Sequence, residues 1–354
     1  MMENQKKTVA VLFGGCSSEY AVSLQSAGAV LGAIDREKYR VIPVGITRQG
    51  RWYRYDGATE HIAGDAWLTD TKNLTPAILS PDRTDHGLLE MRDGQTRLTR
   101  LDLVFPVLHG KNGEDGTVQG LCELAGIPLA GCGTLASALC MDKELAHRVA
   151  AQAGVAVPGA IALTPDTDAG AALEGAEALG YPLFVKPVRA GSSYGITRVT
   201  AREDLPRAIK LAFAHDSRVL VEQAVPGFEV GCAVMGNDGE LTVGEIDEIE
   251  LSGVFFDYTE KYTLKTSRIV LPARVTPAKR KELRQTAQRL YRALGCSGFA
   301  RVDMFLTPDG QIVFNEINTI PGFTAHSRFP GMLRAVGVDF ADCVARILAL
   351  AAEV

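Results

Sequence analysis

Two apolar runs near the C-terminal end, "GFARVDMFLT" and "GQIVFNEIN", carry Arg301 and Asp303 on the first and Glu316 and Asn318 on the second. Side chains alternate along a strand, so each pair shares a face. Two carboxylates and an amide at neighbouring strand ends make an oxygen-rich site for Mg²⁺, which takes hard ligands together with phosphate oxygens. Arg301 beside them could neutralise charge developing on a transferring phosphoryl group. A solvated hairpin would carry the same residues, and spacing alone leaves both readings open. "KPVRAGSSYG" sets Lys186 on a strand before a loop of small residues whose backbone can approach a phosphate. "CMDKELAH" places Lys143 near a helix start, and "VEQAVPGFEV" brackets a turn with Glu222 and Glu229, where carboxylates could accept from an amino group or hydroxyls. Each of these taken singly would pass for a surface residue.

No G-x-x-x-x-G-K-[ST] is present, and "LFGGCSSEY" lacks the spacing of a dinucleotide fingerprint, so any phosphates need another device. The elements that position these residues read as follows. "TVAVLFGG" is a buried parallel strand, and "SSEYAVSLQSAGAVLGAI" is a helix with Val22, Ala29, Val30 and Ala33 on one side. Ser17 or Ser18 suits its cap and Glu19 its first turn. With the strands "YRVIPVGIT" and "DLVFPVLHG", the first hundred-odd residues form an α/β unit whose strand ends face one edge, where such sheets place ligands. A long amphipathic helix follows in "GCGTLASALCMDKELAHRVAAQAG", and "PLFVKPVRAGSSYGITRV" gives strand, loop, strand. "RVLVEQAVPGFEVGCAVMGNDGELTVGEI" reads as an antiparallel meander turning at Asn237-Asp238-Gly239. "ELSGVFFDYTEKYTLKTSRIVLPA" reads as a long loop, and a helix around Pro277–Leu294 precedes the last two strands.

The bulk properties exclude several classes. A chain of 354 residues is long for one core, and its 46% apolar content fits a globular protein. A net charge of −5 argues against nucleic acid, whose phosphates need a concentrated basic face. The seven scattered cysteines lack any C-x-x-C and read as reduced thiols of a cytosolic protein. The apolar run at the start is short for a signal peptide, and none reaches the ~18 residues that cross a bilayer. The expected location is the cytoplasm, with no membrane partner.

Taken in order, "LFGGCSSEYAVSLQS", "LHGKNGEDG", "MDK", "KPVRAGSSYGI", "FFDYTEKY", "RVD" and "NEINTIPGFTAHS" resemble the D-alanine–D-alanine ligase family over nearly the whole chain. The resemblance implies the ATP-grasp fold, with an N-terminal parallel α/β domain (1–131) followed by a central (132–222) and a C-terminal (223–354) α+β domain. It implies a ligase that phosphorylates the carboxylate of a first D-alanine with ATP. The amine of a second amino acid then attacks the acyl phosphate, both substrates being held side by side.

Carried over by position, Lys143 and Lys186 would hold ATP phosphates, with Glu222, Val225 and Glu229 around adenine and ribose. Asp303, Glu316 and Asn318 would hold two Mg²⁺, or Mn²⁺. Glu19 would meet the ammonium of the first D-alanine, with Ser192 and Tyr262 bonded to it. Arg301 and the Gly322 N–H would stabilise the oxyanion, and Ser327 would meet the second carboxylate. Lys261 and Tyr262 would ride on a lid. The family usually has a second acid two residues after the first, where this chain has Ala21. A homodimer is usual in the family.

Arg328 stands where D-alanine-adding members usually carry an apolar residue. With Asp247 and Phe256 flanking it, the chain resembles most the D-alanine–D-serine ligases of vancomycin resistance, G type. An arginine there rewards a substrate hydroxyl. D-serine is thus expected ahead of D-alanine, and D-lactate is disfavoured by the intact Glu260-Lys261-Tyr262. Arg328→Leu is expected to move preference toward D-alanine while ATP binding stays nearly unchanged. A ligase for another carboxylate would alter Glu19, Ser192 and Tyr262. A non-catalytic ATP or amino-acid sensor would not need Arg301, Asp303, Glu316 and Asn318 together.

Overall fold

The computed structural model describes residues 6–191, 195–251 and 267–353. Three sheets follow one another along the chain. The first is built from β1 (Lys7–Gly14), β2 (Tyr39–Ile46), β3 (Trp52–Tyr55), β4 (Leu74–Leu79), β5 (Gly87–Arg92), β6 (Gln95–Arg100) and β7 (Leu103–Pro106), in the order β6-β5-β4-β3-β2-β1-β7. β1 pairs in parallel with β2 and β7, as a βαβ unit requires, through the helix Tyr20–Ala33. β3 to β6 are antiparallel, so the α/β unit of the sequence reading carries a meander on one edge. β4 alternates buried and exposed residues, the pattern of a sheet covered on one side only.

The second sheet contains β8 (Ala160–Leu163), β9 (Leu183–Pro187), β10 (Thr197–Val199) and β11 (Val219–Gln223), in the order β10-β9-β11-β8. The third contains β12 (Phe228–Met235), β13 (Thr242–Leu251), β14 (Ser267–Val270), β15 (Phe299–Leu306) and β16 (Ile312–Asn318), in the order β14-β13-β12-β15-β16. Both are antiparallel throughout. This mixed α/β then α+β layout agrees with the expected fold class.

Four local expectations are corrected. The presumed meander after Arg218 divides between two sheets at Pro226-Gly227. Gly227 has φ +115, and a Cβ there would collide with the Leu306 carbonyl, so only glycine lets the chain cross over at this point. The expected long helix is two, Thr134–Met141 and Lys143–Gln152. Asp142 leaves helical geometry and its carboxylate accepts from the Leu145 N–H, a cap that starts the second helix at Lys143. The stretch read as a long loop begins and ends in strand, since Leu251 closes β13 and Ser267–Val270 forms β14. Finally, Glu19 itself is the N-cap position of the first helix, without a side-chain cap bond, and Ser17 Oγ instead accepts from the Glu19 N–H.

That helix buries Ser23, Leu24, Ala27, Val30 and Leu31, a face rotated from the apolar one read in the sequence. The buried serines are satisfied. Ser23 Oγ accepts from the Gly14 N–H and donates to the Val107 carbonyl, while Ser26 Oγ accepts from the Phe323 N–H. The N-terminal and C-terminal sheets share one core. Phe105, Phe299, Phe323 and Phe329 are fully buried, with ring centroids 5.5–6.1 Å apart. Truncating a ring there should cost about 3–5 kcal/mol, and this packing fixes the turn at Pro321-Gly322 against the first sheet. No helix among the described residues is long and apolar enough to cross a membrane.

Candidate active site

The second and third sheets open a cavity of about 430 Å³, lined by Lys143, Lys186, Glu222, Val225 and Glu316 with Phe184, Phe228 and Phe305 as apolar walls. Lys186 on β9 and Glu222 on β11 are diagonal neighbours, because Leu220 pairs with Lys186 and Glu222 with Phe184. Lys186 Nζ lies 2.5 Å from Glu222 Oε2, and both are buried. Glu222 Oε1 has no hydrogen-bond partner among the described residues. Lys143, at the first position of its helix, donates to the Ala190 carbonyl at 2.8 Å and stands 3.4 Å from Glu316 Oε2. The capped break at Asp142 is what aims this lysine into the cavity.

His147, one turn further, was missed in the sequence. Its Nε2 meets the Asn315 carbonyl at 2.8 Å, its Nδ1 lies 3.5 Å from Glu222 Oε1, and its ring packs edge-on against Phe314. Burial lowers its pKa, against the opposing pull of Glu222. A carbonyl accepts only from N–H, so Nε2 carries the proton in the neutral ring. Helix Lys143–Gln152 thereby ties the Glu222 strand to the Glu316 strand.

At the far end of β15 and β16, Arg301 pairs with Asn318 and Asp303 with Glu316 in register, with a bulge just after Asp303. The same-face reading holds. Asp303 is 1% exposed and accepts from Arg301 Nε and Nη2 and from Asn318 Nδ2 at 2.6–3.0 Å. Burial works against the charge on Arg301, but Asp303 reverses this and raises its pKa. Among the described residues no three or more His, Cys, Asp or Glu side chains are already arranged as a metal-binding group. The donors present, two carboxylates and one amide, fit a hard divalent cation and not a soft one.

Arg328 opens the helix Arg328–Arg334 and is clasped by three acids. Its Nε and Nη2 reach both oxygens of Asp247 at 2.8 Å, Nη1 lies 3.0 Å from Glu229 Oε1, and Nη2 lies 3.5 Å from Asp303 Oδ1. Asp247 also accepts from the Gly231 N–H at 2.9 Å. A Cβ on Gly231 would run into Arg328 Nη2, Asp247 and Met332, so this slot requires glycine. Burial again works against the cation, and Asp247 foremost, then Asp303 and Glu229, hold it protonated. Neighbouring Ser327 Oγ pairs with Thr324 and lies beside Gly322.

Glu19 is buried at 6% exposure against Gly110 and Gly191, where added Cβ atoms would sit 2.5 and 2.8 Å from its Oε2. The stretch "LHGKNGEDG" supplies two further residues the sequence reading gave no role. His109 spans Ser26 Oγ and the Ile320 carbonyl, and Glu114 accepts from the Gly110 and Ile320 N–H groups. Burial first, and then the Glu19 charge, push the Glu114 pKa up to about 8. Both residues fix Ile320, two residues before Gly322. Of the residues singled out in the sequence, Ser192, Phe256, Glu260, Lys261 and Tyr262 lie outside the described residues.

Comparison with known proteins agrees with this geometry. The family model for the D-Ala–D-Ala ligase N-terminus matches residues 8–132, and that for the C-terminus matches residues 149–349. The solved structure of the VanG D-Ala:D-Ser ligase from Enterococcus faecalis is 55% identical, with a TM-score of 0.92, covering 98% of this chain and 100% of that one. A Streptomyces coelicolor protein, named provisionally as a D-alanine–D-lactate ligase, is 47% identical over 97% of each chain. A D-alanine–D-alanine ligase of Caldicellulosiruptor bescii is 42% identical over 98% of this chain and 96% of its own. By fold, motif order and family match, the chain belongs to the D-alanine–D-alanine ligase family.

Proposed function

We propose that the protein is an ATP-dependent D-alanine–D-serine ligase. The observation that carries the choice of D-serine is the buried Arg328, oriented by a side-on pair with Asp247 and presenting its Nη1 edge toward Glu229. Arginine N–H groups reward a substrate hydroxyl and gain nothing from a methyl group. The likeness to VanG supports the same reading.

In this account the cavity takes ATP. Glu222, Val225 and Glu229 serve adenine and ribose, and Lys143 and Lys186 meet the phosphates. Asp303, Glu316 and Asn318 are the residues to hold Mg²⁺, which when bound neutralises charge on the transferring phosphoryl group. Glu19 pairs with the ammonium of the first D-alanine, whose carboxylate takes the γ-phosphoryl group while ADP leaves. The amine of the second amino acid attacks the acyl phosphate, a proton is lost, and phosphate departs as the tetrahedral intermediate collapses.

Arg301 and the Gly322 N–H stabilise the oxyanion. No hydrogen bond among the described residues uses that N–H. Ser327 receives the second carboxylate. Ser192, Tyr262, Lys261 and Phe256 complete the site by resemblance. The proposed division into domains is 1–131, 132–222 and 223–354, with the nucleotide between the last two. Cytoplasmic location and a homodimer are proposed on family grounds.

The test is phosphate release from ATP and Mg²⁺ with D-alanine plus D-serine, further D-alanine or D-lactate. The highest kcat/KM is expected with D-serine. A preference for D-alanine would make the protein a D-alanine–D-alanine ligase, and no turnover with any pair would return the sensor reading.

A further inference from the structure

We propose that Arg328 couples the nucleotide site to the second-substrate site, so that each ligand tightens the other through one guanidinium. The proposal rests on the functional reading above and goes beyond it. It also replaces the expectation that changing Arg328 leaves ATP binding nearly unchanged.

The guanidinium has two unlike edges. The Nε/Nη2 edge is locked: both contacts to Asp247 are 2.8 Å, and Asp247 is itself held by the Gly231 N–H. The absent Cβ at Gly231 lets the fork and its acid lie flat against β12. The Nη1 edge has a single contact among the described residues, Glu229 at 3.0 Å. Glu229 lines the nucleotide cavity from one side while Arg328 approaches it from the other. One carboxylate therefore stands between two sets of donors, the hydroxyls of a bound ribose and the Nη1 N–H groups.

A carboxylate that accepts from ribose hydroxyls pulls less on Nη1. The N–H thus released points to the hydroxyl or carboxylate of the second amino acid. Conversely, an amino acid on Nη1 frees Glu229 for the nucleotide. Linkage requires the two effects to be equal in size. A coupling carried by one such exchange falls in the range of roughly 5–150-fold. Arg328 is in this sense a positioning residue for Glu229 as well as a contact for the second substrate.

The experiment is calorimetric titration of AMP-PNP with Mg²⁺ into the protein, with and without saturating D-serine. Wild type should bind AMP-PNP at least about fivefold tighter with D-serine present. In Arg328→Leu that factor should fall to about one. Because the leucine strands Asp247, Arg328→Lys is tested in parallel. A lysine keeps a charge beside Asp247 but lacks the fork needed to span to Glu229, so it too should lose most of the coupling. Full coupling in either variant, or no coupling in wild type, overturns the proposal. Failure of wild type to bind AMP-PNP at all would instead bring down the nucleotide reading on which it rests.

Discussion

The nucleotide cavity and the Arg328 corner are both lined by buried charges, yet they differ in what those charges do before any ligand arrives. In the cavity, Lys143 and Lys186 are paired with Glu316 and Glu222 and still border open space. In the corner, Arg301, Arg328, Asp247 and Asp303 are satisfied by one another. The cavity therefore leaves room for a ligand beside pairs that are already made. A corner already saturated must exchange partners when ligands bind, and exchange is what makes selection between similar substrates possible.

The contrast can be broken or sharpened in order of effect. Arg301→Ala should remove the charge that meets the developing oxyanion, lowering kcat about 10²–10³-fold with little change in KM for ATP. A matched rise in KM would show that the corner contributes to ground-state binding and erase the distinction. His147→Leu should act on the cavity instead. Losing one hydrogen bond worth about 1 kcal/mol should raise KM for ATP roughly fivefold and leave kcat nearly alone. His147→Gln, which retains an N–H donor, should recover part of it. An unaltered KM in the leucine variant would exclude His147 as the tie between Glu222 and Asn315.

The smallest effect concerns Glu114, which holds Ile320 beside the corner. Its folded pKa of about 8 lies above the ordinary carboxylate value, so the folded protein keeps a proton that the unfolded chain has lost. Stability should therefore fall as pH rises between about 4.5 and 8, by up to ~1.4 kcal/mol per pH unit. Glu114→Gln should flatten that slope in urea melts run across the range. A slope identical to wild type would assign the pH dependence to other groups.

Sequence alone disclosed the local parts of this site. Strand alternation placed Arg301 with Asp303 and Glu316 with Asn318, and the turn at Pro226-Gly227 was read with Glu222 and Glu229 on either side of it. It did not disclose contacts between distant segments. Arg328 and Glu229 are 99 residues apart, and Glu114 and Ile320 are 206 apart. No periodicity reports such pairings. The break at Asp142 was missed because the apolar pattern runs through it, and only the cap geometry separates the two helices. The buried face of the first helix was misplaced because Ser23 and Ser26 are polar by type and buried by virtue of their partners.

The most direct measurement is a competition. Wild type and Arg328→Leu are each given ATP, Mg²⁺, D-alanine and an equal concentration of D-serine, and the dipeptide products are separated by mass. D-alanyl-D-serine should dominate with wild type, and the ratio should move toward D-alanyl-D-alanine by about tenfold or more in the leucine variant. The same product ratio from both proteins would contradict the role of Arg328 and, with it, the assignment of D-serine as the second substrate.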